Sequence, residues 1–346
     1  MRLSNFTLKK KSGHALAWLG AAVVLTAALS LSGCSQAEPE ISAGEPELLY
    51  ETGTLSMGTG EASAQVYQAG FAVANAISNT VPGIYVAVET SKGEMINAVN
   101  VSEGNLDLAL ISGDVAYEAV NGLYSFEGKN LENLRVLGAC YQEVSGWMAL
   151  KKSGLTQVNE LKGKIISSGS KASETELVSN MVFEMMGIDI SNTEIYSDSL
   201  KNSVEHIKRE TADAVHAFST VPYSAHEALA AEYETIVLSY TDEELDTVVN
   251  SNPSYFKTEI TAGTYNGQEK AVPTFGSKVL LCASDDMDED LAYEIARALD
   301  LNGTNYTADY TFMSAIQDKD FLCNELPIPL HDGAEKYYRE AGFLAD

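Results

Sequence analysis

From about residue 54 onward, apolar segments with strand-like spacing alternate with segments whose apolar side chains recur at helical spacing. Residues 54–58 and 85–89 fit short strands, and residues 64–78 between them fit a helix. The run 106–111 is continuously apolar, as is typical of a strand buried on both faces of a parallel sheet. This β-α-β-α order predicts parallel strands joined by helices.

The same alternation continues to the end of the chain. Further helices are predicted at 95–102, 115–120, 175–186, 199–210, 224–232, 242–250 and 291–301, further strands at 164–167, 212–218 and 279–283, and irregular structure over the rest of 242–272. Two α/β lobes, joined by strands that cross near 140–146 and 282–286, form the simplest architecture. The predicted lobes are 48–142 plus 285–346 for the first and 143–284 for the second. The length of 346 residues agrees with two domains.

The amino-terminal segment has the pattern of an export signal. Three lysines at 9–11 precede an apolar run at 15–31, and Leu31-Ser32-Gly33-Cys34 resembles a bacterial lipobox. We predict a lipoprotein signal peptide at 1–33, lipid on Cys34 and an extracytoplasmic location on the cell membrane. A retained membrane helix is the alternative, because the apolar run is nearly long enough to span a bilayer.

Charge and composition narrow the classes of function. The formal net charge of −27 argues against nucleic-acid binding, which needs a face rich in lysine and arginine. Residues 34–47 are rich in glutamate and proline, which predicts an acidic, solvated tether. An apolar content of 45% supports a large core.

The cysteines and histidines do not form a convincing reactive site. Cys140, Cys282 and Cys323 remain after Cys34, and three cysteines cannot form a complete set of disulfides. Cys140 and Cys282 stand in apolar runs, which favours buried thiols there, and the sequence leaves the pairing of the three open. The remaining candidates for metal binding are three evenly spaced histidines: His206, His216 and His226. Their spacing of ten fits no helical ligand pair, and catalytic motifs such as G-x-S-x-G and H-E-x-x-H are missing from the sequence. We therefore expect no catalysis, no metal and no cofactor.

Four loops could bind a ligand, because ligands of parallel sheets bind beyond the carboxyl ends of strands. These loops are 59–63, 90–94, 112–114 and 168–173. In the last loop Ser173 and Glu176 form an S-x-x-E capping box. Ser173 is therefore either a helix cap alone or a cap that also contacts a ligand.

A series of short motifs in and around these loops resembles one known family. In chain order they are Thr59-Gly60 with Tyr67 and Gly70, Asn97, 107–110, 114–117, 161–164, Ser173 with Thr175, 213–214, Pro222, 261–268, 272–274 and 330–342. The series is similar to that of the TAXI family, the solute-binding subunits of TRAP-type secondary transporters, over about residues 54–342.

The resemblance implies an α/β, two-lobed fold of the type II periplasmic-binding kind, with a ligand cleft between the lobes. It further implies cleft closure on a small carboxylate or an amino acid such as glutamate, and delivery to TRAP membrane subunits. The alternative is a lipoprotein that serves an ABC importer or a sensor kinase. The candidate ligand-binding residues are Thr59, Gly60, Tyr67, Glu94, Asn97, Ser112, Asp114, Ser173, Thr175, Phe218, Pro222 and Tyr265.

Departures from the family pattern concentrate in the predicted pocket. Glu94 stands where the family has serine, Ser112 where it has glutamine, and Glu174 where it has glycine. If Glu94 faces the ligand, it would repel a second carboxylate and favour an amine or a hydroxyl. Alternatively, Glu94 faces solvent in the first turn of its helix, where the helix dipole stabilises a negative charge.

Overall fold

A computed structural model describes residues 48–62, 65–171, 173–188 and 193–345, within the compact unit Leu48–Asp346. The predicted signal peptide, Cys34 and the tether at 34–47 lie outside the described residues. The helices are α1 (Gln65–Thr80), α2 (Glu94–Ser102), α3 (Gly113–Asn121), α4 (Glu174–Met185), α5 (Leu200–Lys208), α6 (Ser224–Glu232), α7 (Asp242–Ser251), α8 (Glu289–Leu301), α9 (Gly303–Asp309), α10 (Lys319–Cys323) and α11 (Asp332–Glu340). Within these described ranges, every helix is too short or too polar to cross a membrane.

The strands form a single mixed sheet. They are β1 (Gly53–Gly58), β2 (Ile84–Glu89), β3 (Leu108–Ser112), β4 (Leu134–Leu150), β5 (Ile165–Ser167), β6 (Glu194–Tyr196), β7 (Ala214–Ser219), β8 (Thr235–Leu238), β9 (Tyr255–Ile260) and β10 (Val272–Ser284). The order in the sheet is β2-β1-β3-β10-β4-β7-β5-β6, with β8 beside β4 and β9 beside β10. Pairs among β1, β2 and β3, and among β5, β6 and β7, are parallel.

The long strands β4 and β10 run through both halves of the sheet and pair antiparallel with each other. Residues 272–277 of β10 pair with β9, and residues 279–282 pair with β3. Residues 144–149 of β4 pair with β7. The change of partner in β10 therefore comes a few residues earlier in the chain than the predicted crossing at 282–286.

Alternate residues of the sheet face different cores, because successive side chains of a strand point to opposite faces. In the half that contains β1, Leu281 packs in one cluster and Leu280 and Cys282 in another. In the half that contains β7, Trp147 and Met148 are divided in the same way. Helices cover each face, and this four-cluster core holds the loops at the strand ends in place.

The predicted helices 64–78 through 291–301 all match observed helices to within two residues at each end. The segment predicted to be irregular contains β9, so that part of the prediction was wrong. Its burial pattern alternates only weakly, and it is an outer strand beside the amino-terminal half of β10. The buried thiols expected at Cys140 and Cys282 are confirmed, and Cys323 is also free and buried.

Candidate functional site

A cavity of about 520 Å³ lies at the carboxyl ends of β1, β2, β5 and β7. Its lining from the first half of the sheet includes Thr59, Gly60, Glu61, Gln65, Val66, Lys92, Glu94, Met95, Ile96 and Val115. Its lining from the second half includes Lys171, Ser173, Glu174, Thr175, Leu177, Phe218 and Ser219, and Glu143 lies on the crossing strand β4. Both halves of the sheet thus build one site.

The loop after β1 is held by its own hydrogen bonds. The Thr59 hydroxyl donates to the Glu89 carbonyl over 2.8 Å, and the Asn97 amide donates to the Thr59 carbonyl over 2.7 Å. The Ser91 hydroxyl donates to the same carbonyl over 2.6 Å. Thr59 and Asn97 therefore fix the loop, while Gly60 presents backbone to the cavity.

Glu94 is the first residue of α2, after Gly93, whose φ of 127° suits glycine. Its Oε2 accepts a hydrogen bond of 2.6 Å from the backbone N–H of Ser112, which is the N-cap residue of α3. Glu94 therefore turns into the cavity rather than out to solvent. Its carboxylate occupies a helix N-terminus, a position that elsewhere suits a bound anion.

Two further glutamates join Glu94. Glu174 is the first residue of α4, and Glu143 lies in β4 with only 7% of its surface exposed. Carboxylate oxygens of all three residues lie within 4.8 Å of one another. One oxygen of Glu143 and one of Glu174 are buried without a hydrogen-bond partner among the described residues. We call these three residues the glutamate cluster.

Burial and mutual repulsion raise the pKa of each carboxyl group in the glutamate cluster. Burial, followed by the charge of Glu143, raises the pKa of Glu94 to about 8. Burial raises the pKa of Glu143 to about 7, against a hydrogen bond from Glu174 that lowers it. Burial, then the charges of Glu143 and Glu94, raise the pKa of Glu174 well above its ordinary value. At neutral pH the empty cluster consequently holds protons.

Asp114 lies beside the glutamate cluster and not on the cavity wall. It is buried, and its Oδ2 accepts a hydrogen bond of 2.8 Å from the Tyr255 hydroxyl of β9. This hydrogen bond joins the N-terminus of α3, in the first half of the sheet, to β9 in the second half. Ser112 is fully buried, and its backbone N–H donates to Glu94.

Residues of α1, α4 and β7 close the other side of the cavity. The Thr175 hydroxyl accepts a hydrogen bond from the backbone N–H of Phe218 over 3.2 Å. It also donates to the backbone carbonyl of Phe218 over 3.3 Å. The Ser219 hydroxyl donates to the Gln65 side chain over 3.0 Å, and the Thr220 hydroxyl bonds to the same oxygen. Gln65 therefore joins the two halves of the sheet across the cavity.

Of the twelve predicted ligand residues, the structure brings six to the cavity wall: Thr59, Gly60, Glu94, Ser173, Thr175 and Phe218. Three lie just behind it, namely Asn97, Ser112 and Asp114. Tyr67 instead packs edge-on against Phe71 of α1, and Pro222 is exposed beyond β7. Tyr265 lines a different cavity of about 430 Å³, where its hydroxyl accepts from the Tyr223 backbone.

Sequence reasoning missed Glu143 and Gln65. Glu143 was visible as an acid in the long apolar strand that contains Cys140 and Trp147, which is a costly place for a charge. Gln65 carried no comparable signal, because its role depends on residues more than 150 positions away.

The three histidines occupy separate environments. His216 is buried and stacks on Trp147, His226 is buried beside Tyr223, and His206 contacts Asp198. Burial lowers the pKa of His216 and of His226 to about 3, so both rings are neutral.

Comparison with known proteins assigns the chain to a family. A sequence profile described as the NMT1-like family matches residues 57–342, which is most of the chain. The chain belongs to the NMT1-like family. The matched range contains every residue of the glutamate cluster and all twelve predicted ligand residues.

Solved structures resemble this NMT1-like protein in fold. PhnD1 from Prochlorococcus marinus, in complex with methylphosphonate, is 11% identical, with coverage of 84% of this chain and 99% of that chain and a TM-score of 0.49. The aliphatic sulphonate binding protein SsuA from Escherichia coli is 12% identical, with coverages of 82% and 78% and a TM-score of 0.46. An ABC substrate-binding protein from Streptococcus pneumoniae with bound histidine is 12% identical, with coverages of 73% and 88% and a TM-score of 0.44. The predicted α/β class is confirmed by the mixed sheet and the helices that alternate with its strands.

Proposed function

We propose that this protein is an extracytoplasmic solute-binding lipoprotein that closes two lobes over a small organic solute. The observation that carries the proposal is the cavity of about 520 Å³ to which loops from both halves of the sheet contribute. Ligand contacts on both sides stabilise a closed form by the difference in affinity between the closed and open forms. The strands β4 and β10 are the connections about which the lobes would rotate. We place the second lobe boundary near 277–279, where β10 changes partner, rather than at 284/285.

The ordered motif series that resembles the TAXI family supports TRAP membrane subunits as the partner. The same resemblance supports a small carboxylate or an amino acid such as glutamate as the solute. Genes for TRAP membrane subunits beside the gene for this protein would support this partner. Neighbouring genes for an ATPase or a sensor kinase would instead favour an ABC importer or a sensor, and would leave solute capture unaffected.

Small-angle scattering and thermal unfolding across a metabolite panel test solute capture. A true solute should reduce the radius of gyration and raise the melting temperature together, because it bridges both lobes. A panel that includes carboxylates, amino acids and amines, and in which no compound does either, would contradict the proposal.

A further inference from the structure

We propose that the glutamate cluster, Glu94, Glu143 and Glu174, binds the ammonium group of an organic solute. This inference rests on the proposed function and names the solute class of the same cavity. It replaces the expectation of a carboxylate at this position with a cation. An amino acid would fit only with its ammonium group directed into the cluster.

Unpartnered oxygens provide the first support. Glu143 is 7% exposed and lines the cavity, yet its Oε2 has no hydrogen-bond partner in the described part of the chain. The Oε1 of Glu174 is also buried and unpartnered there. A buried acceptor without a donor is costly, and a donor group on the solute would remove that cost.

The spacing of the carboxylates fits one ammonium group. An R–NH3⁺ group has three N–H donors, one for each glutamate. Charge-assisted bonds of about 2.8 Å from one nitrogen place their three acceptors roughly 4.6 Å apart in tetrahedral geometry. The carboxylate oxygens all lie within 4.8 Å of one another, so the three groups are close enough together to reach one ammonium nitrogen.

The local charges disfavour an anion at this position. The N-terminus of α3, which could otherwise bind a carboxylate, already receives Glu94 through the Ser112 N–H at 2.6 Å. The charges that most affect the three carboxyl groups come from one another and from Asp114. A ligand carboxylate placed there would meet these acids, and neither lysine of the cavity wall, Lys92 or Lys171, is among the charges that most affect the cluster.

The apolar part of the cavity wall favours an organic cation over a bare metal ion. Val66, Met95, Ile96, Val115, Leu177 and Phe218 line the same cavity. A volume of about 520 Å³ far exceeds the space that one ion needs and falls in the range of small-molecule sites. These apolar side chains would pack against the carbon skeleton of an amine.

Binding should release protons, because the empty cluster holds them and an ammonium group requires carboxylates. Burial raises the pKa of Glu94 to about 8 and that of Glu143 to about 7, so affinity should rise between about pH 6 and about pH 8.5.

Other titratable groups surround the cluster. The acids among them are Glu61, Asp114 and Glu118, and burial also raises the pKa of Glu118 to about 7. The facing cations are Lys92 and Lys171, and burial raises the pKa of the adjoining phenols of Tyr141 and Tyr255.

Calorimetry on the full chain in mild detergent tests the inference with a matched probe set. The probes are methylammonium, butylammonium, 1,4-diaminobutane, lysine, glutamate, butanol, butyrate and the chlorides of Ca²⁺, Mg²⁺ and Zn²⁺, each up to about 10 mM so that Kd values near 1 mM are detected. We expect at least one amine to bind and butanol and butyrate not to bind. In two buffers of different ionisation heat at pH 7, binding should release protons.

Two variants assign any binding to the cluster. Glu143→Gln should weaken amine binding at least about tenfold and reduce the proton release, because one buried charge partner is lost. Glu289→Gln is the control, since it makes the same chemical change at a residue of α8 that does not line the cavity. It should change affinity by less than about twofold.

Three results would overturn the inference. In the first, an anionic or neutral solute closes the cavity and Glu143→Gln leaves its affinity unchanged; solute capture then stands and the ammonium site falls. In the second, a metal ion binds through Glu143 and no amine binds. In the third, no probe and no member of the metabolite panel binds or changes the scattering, which removes the proposed function as well.

Discussion

Two buried polar clusters on the same strand, β4, differ in how well their hydrogen bonds are satisfied. One cluster contains Ser145, Trp147, Ser179, His216 and Tyr240. The Tyr240 hydroxyl accepts from the Trp147 indole over 2.8 Å and bonds to the Ser145 hydroxyl over 2.8 Å. The two ring nitrogens of His216 bond to Ser145 at 2.9 Å and to Ser179 at 2.7 Å. The glutamate cluster, only a few residues away along β4, keeps unpartnered carboxylate oxygens.

This difference separates a structural polar cluster from a binding site. A buried network whose donors and acceptors are matched fixes the packing of a core and needs nothing from outside. A buried group that lacks a partner lowers stability until a ligand supplies one. Mutations in the two clusters should therefore have opposite effects on the stability of the empty protein.

The largest effect is expected from Tyr240→Phe. This change removes the acceptor of the Trp147 indole N–H and leaves that donor buried and unpaired, at a cost of about 2–3 kcal/mol in the free energy of unfolding. Urea unfolding followed by tryptophan fluorescence measures it. Tyr124→Phe, at a residue that is 75% exposed, is the control and should have little effect. A cost for Tyr240→Phe below about 1 kcal/mol would contradict the matched-network interpretation.

Glu143→Gln is expected to raise the free energy of unfolding, whereas Tyr240→Phe lowers it. Because an amide has no charge to desolvate, the empty variant should be more stable than the wild-type chain by about 1–2 kcal/mol at pH 8. Urea unfolding at pH 8, compared with Glu289→Gln, measures the gain. A loss of stability would show that Glu143 supports the fold in the way that Tyr240 does.

The stability of the ligand-free protein should depend on pH, and it should depend less on pH in Glu143→Gln. Since burial raises the folded-state pKa of Glu94 to about 8 and that of Glu143 to about 7, the folded state binds more protons than the unfolded state above about pH 4.5. Stability is therefore fully present below about pH 4.5 and falls as pH rises through about 7 and 8. Glu143→Gln should make this decline shallower by up to about 1 kcal/mol per pH unit. The measurement is denaturant unfolding of both proteins at pH 5, 7 and 8.5. If the free energy of unfolding changed equally with pH in the wild-type chain and in Glu143→Gln, the raised pKa values would be contradicted.

The smallest effect is expected at Ser173, whose hydroxyl caps α4 by accepting from the Glu176 N–H over 3.3 Å. Ser173→Ala should cost about 0.5–1 kcal/mol of stability. Thr241→Ala removes the capping hydroxyl of α7, where Glu244 also bonds back to Thr241, and is the control outside the cavity. If both variants lose similar stability but only Ser173→Ala also loses solute affinity, Ser173 is a ligand contact as well as a cap. If both variants bind the solute equally well, the role of Ser173 is limited to capping α4.

Local patterns explain which parts of the fold could be predicted. Helix α7 begins at a recognisable capping box of Thr241 and Glu244 and buries Leu245 and Val248 at helical spacing, so its bounds could be predicted closely. The full length of β10 could not, because its first residues pair with β9 and read as a loop when taken alone. Strand pairing depends on residues distant in the chain, and a local pattern does not contain it.

The site was predictable as a set of loops but not as a chemical environment. Thr59 and Ser173, from two of the four loops predicted at the carboxyl ends of strands, line one cavity. The direction of Glu94 was left open, since a glutamate in a first turn is equally reasonable in solvent. Its meeting with Glu143 needs the sheet order, which brings residues 49 positions apart into contact.

The place of β10 between β3 and β4 has a consequence for biosynthesis. A ribosome completes β3 and β4 long before it reaches residues 272–284, so both strands wait with an unpaired edge. Exposed edges of this kind invite association with other chains. The nascent protein should therefore depend on a holding chaperone until β10 emerges and fills the gap.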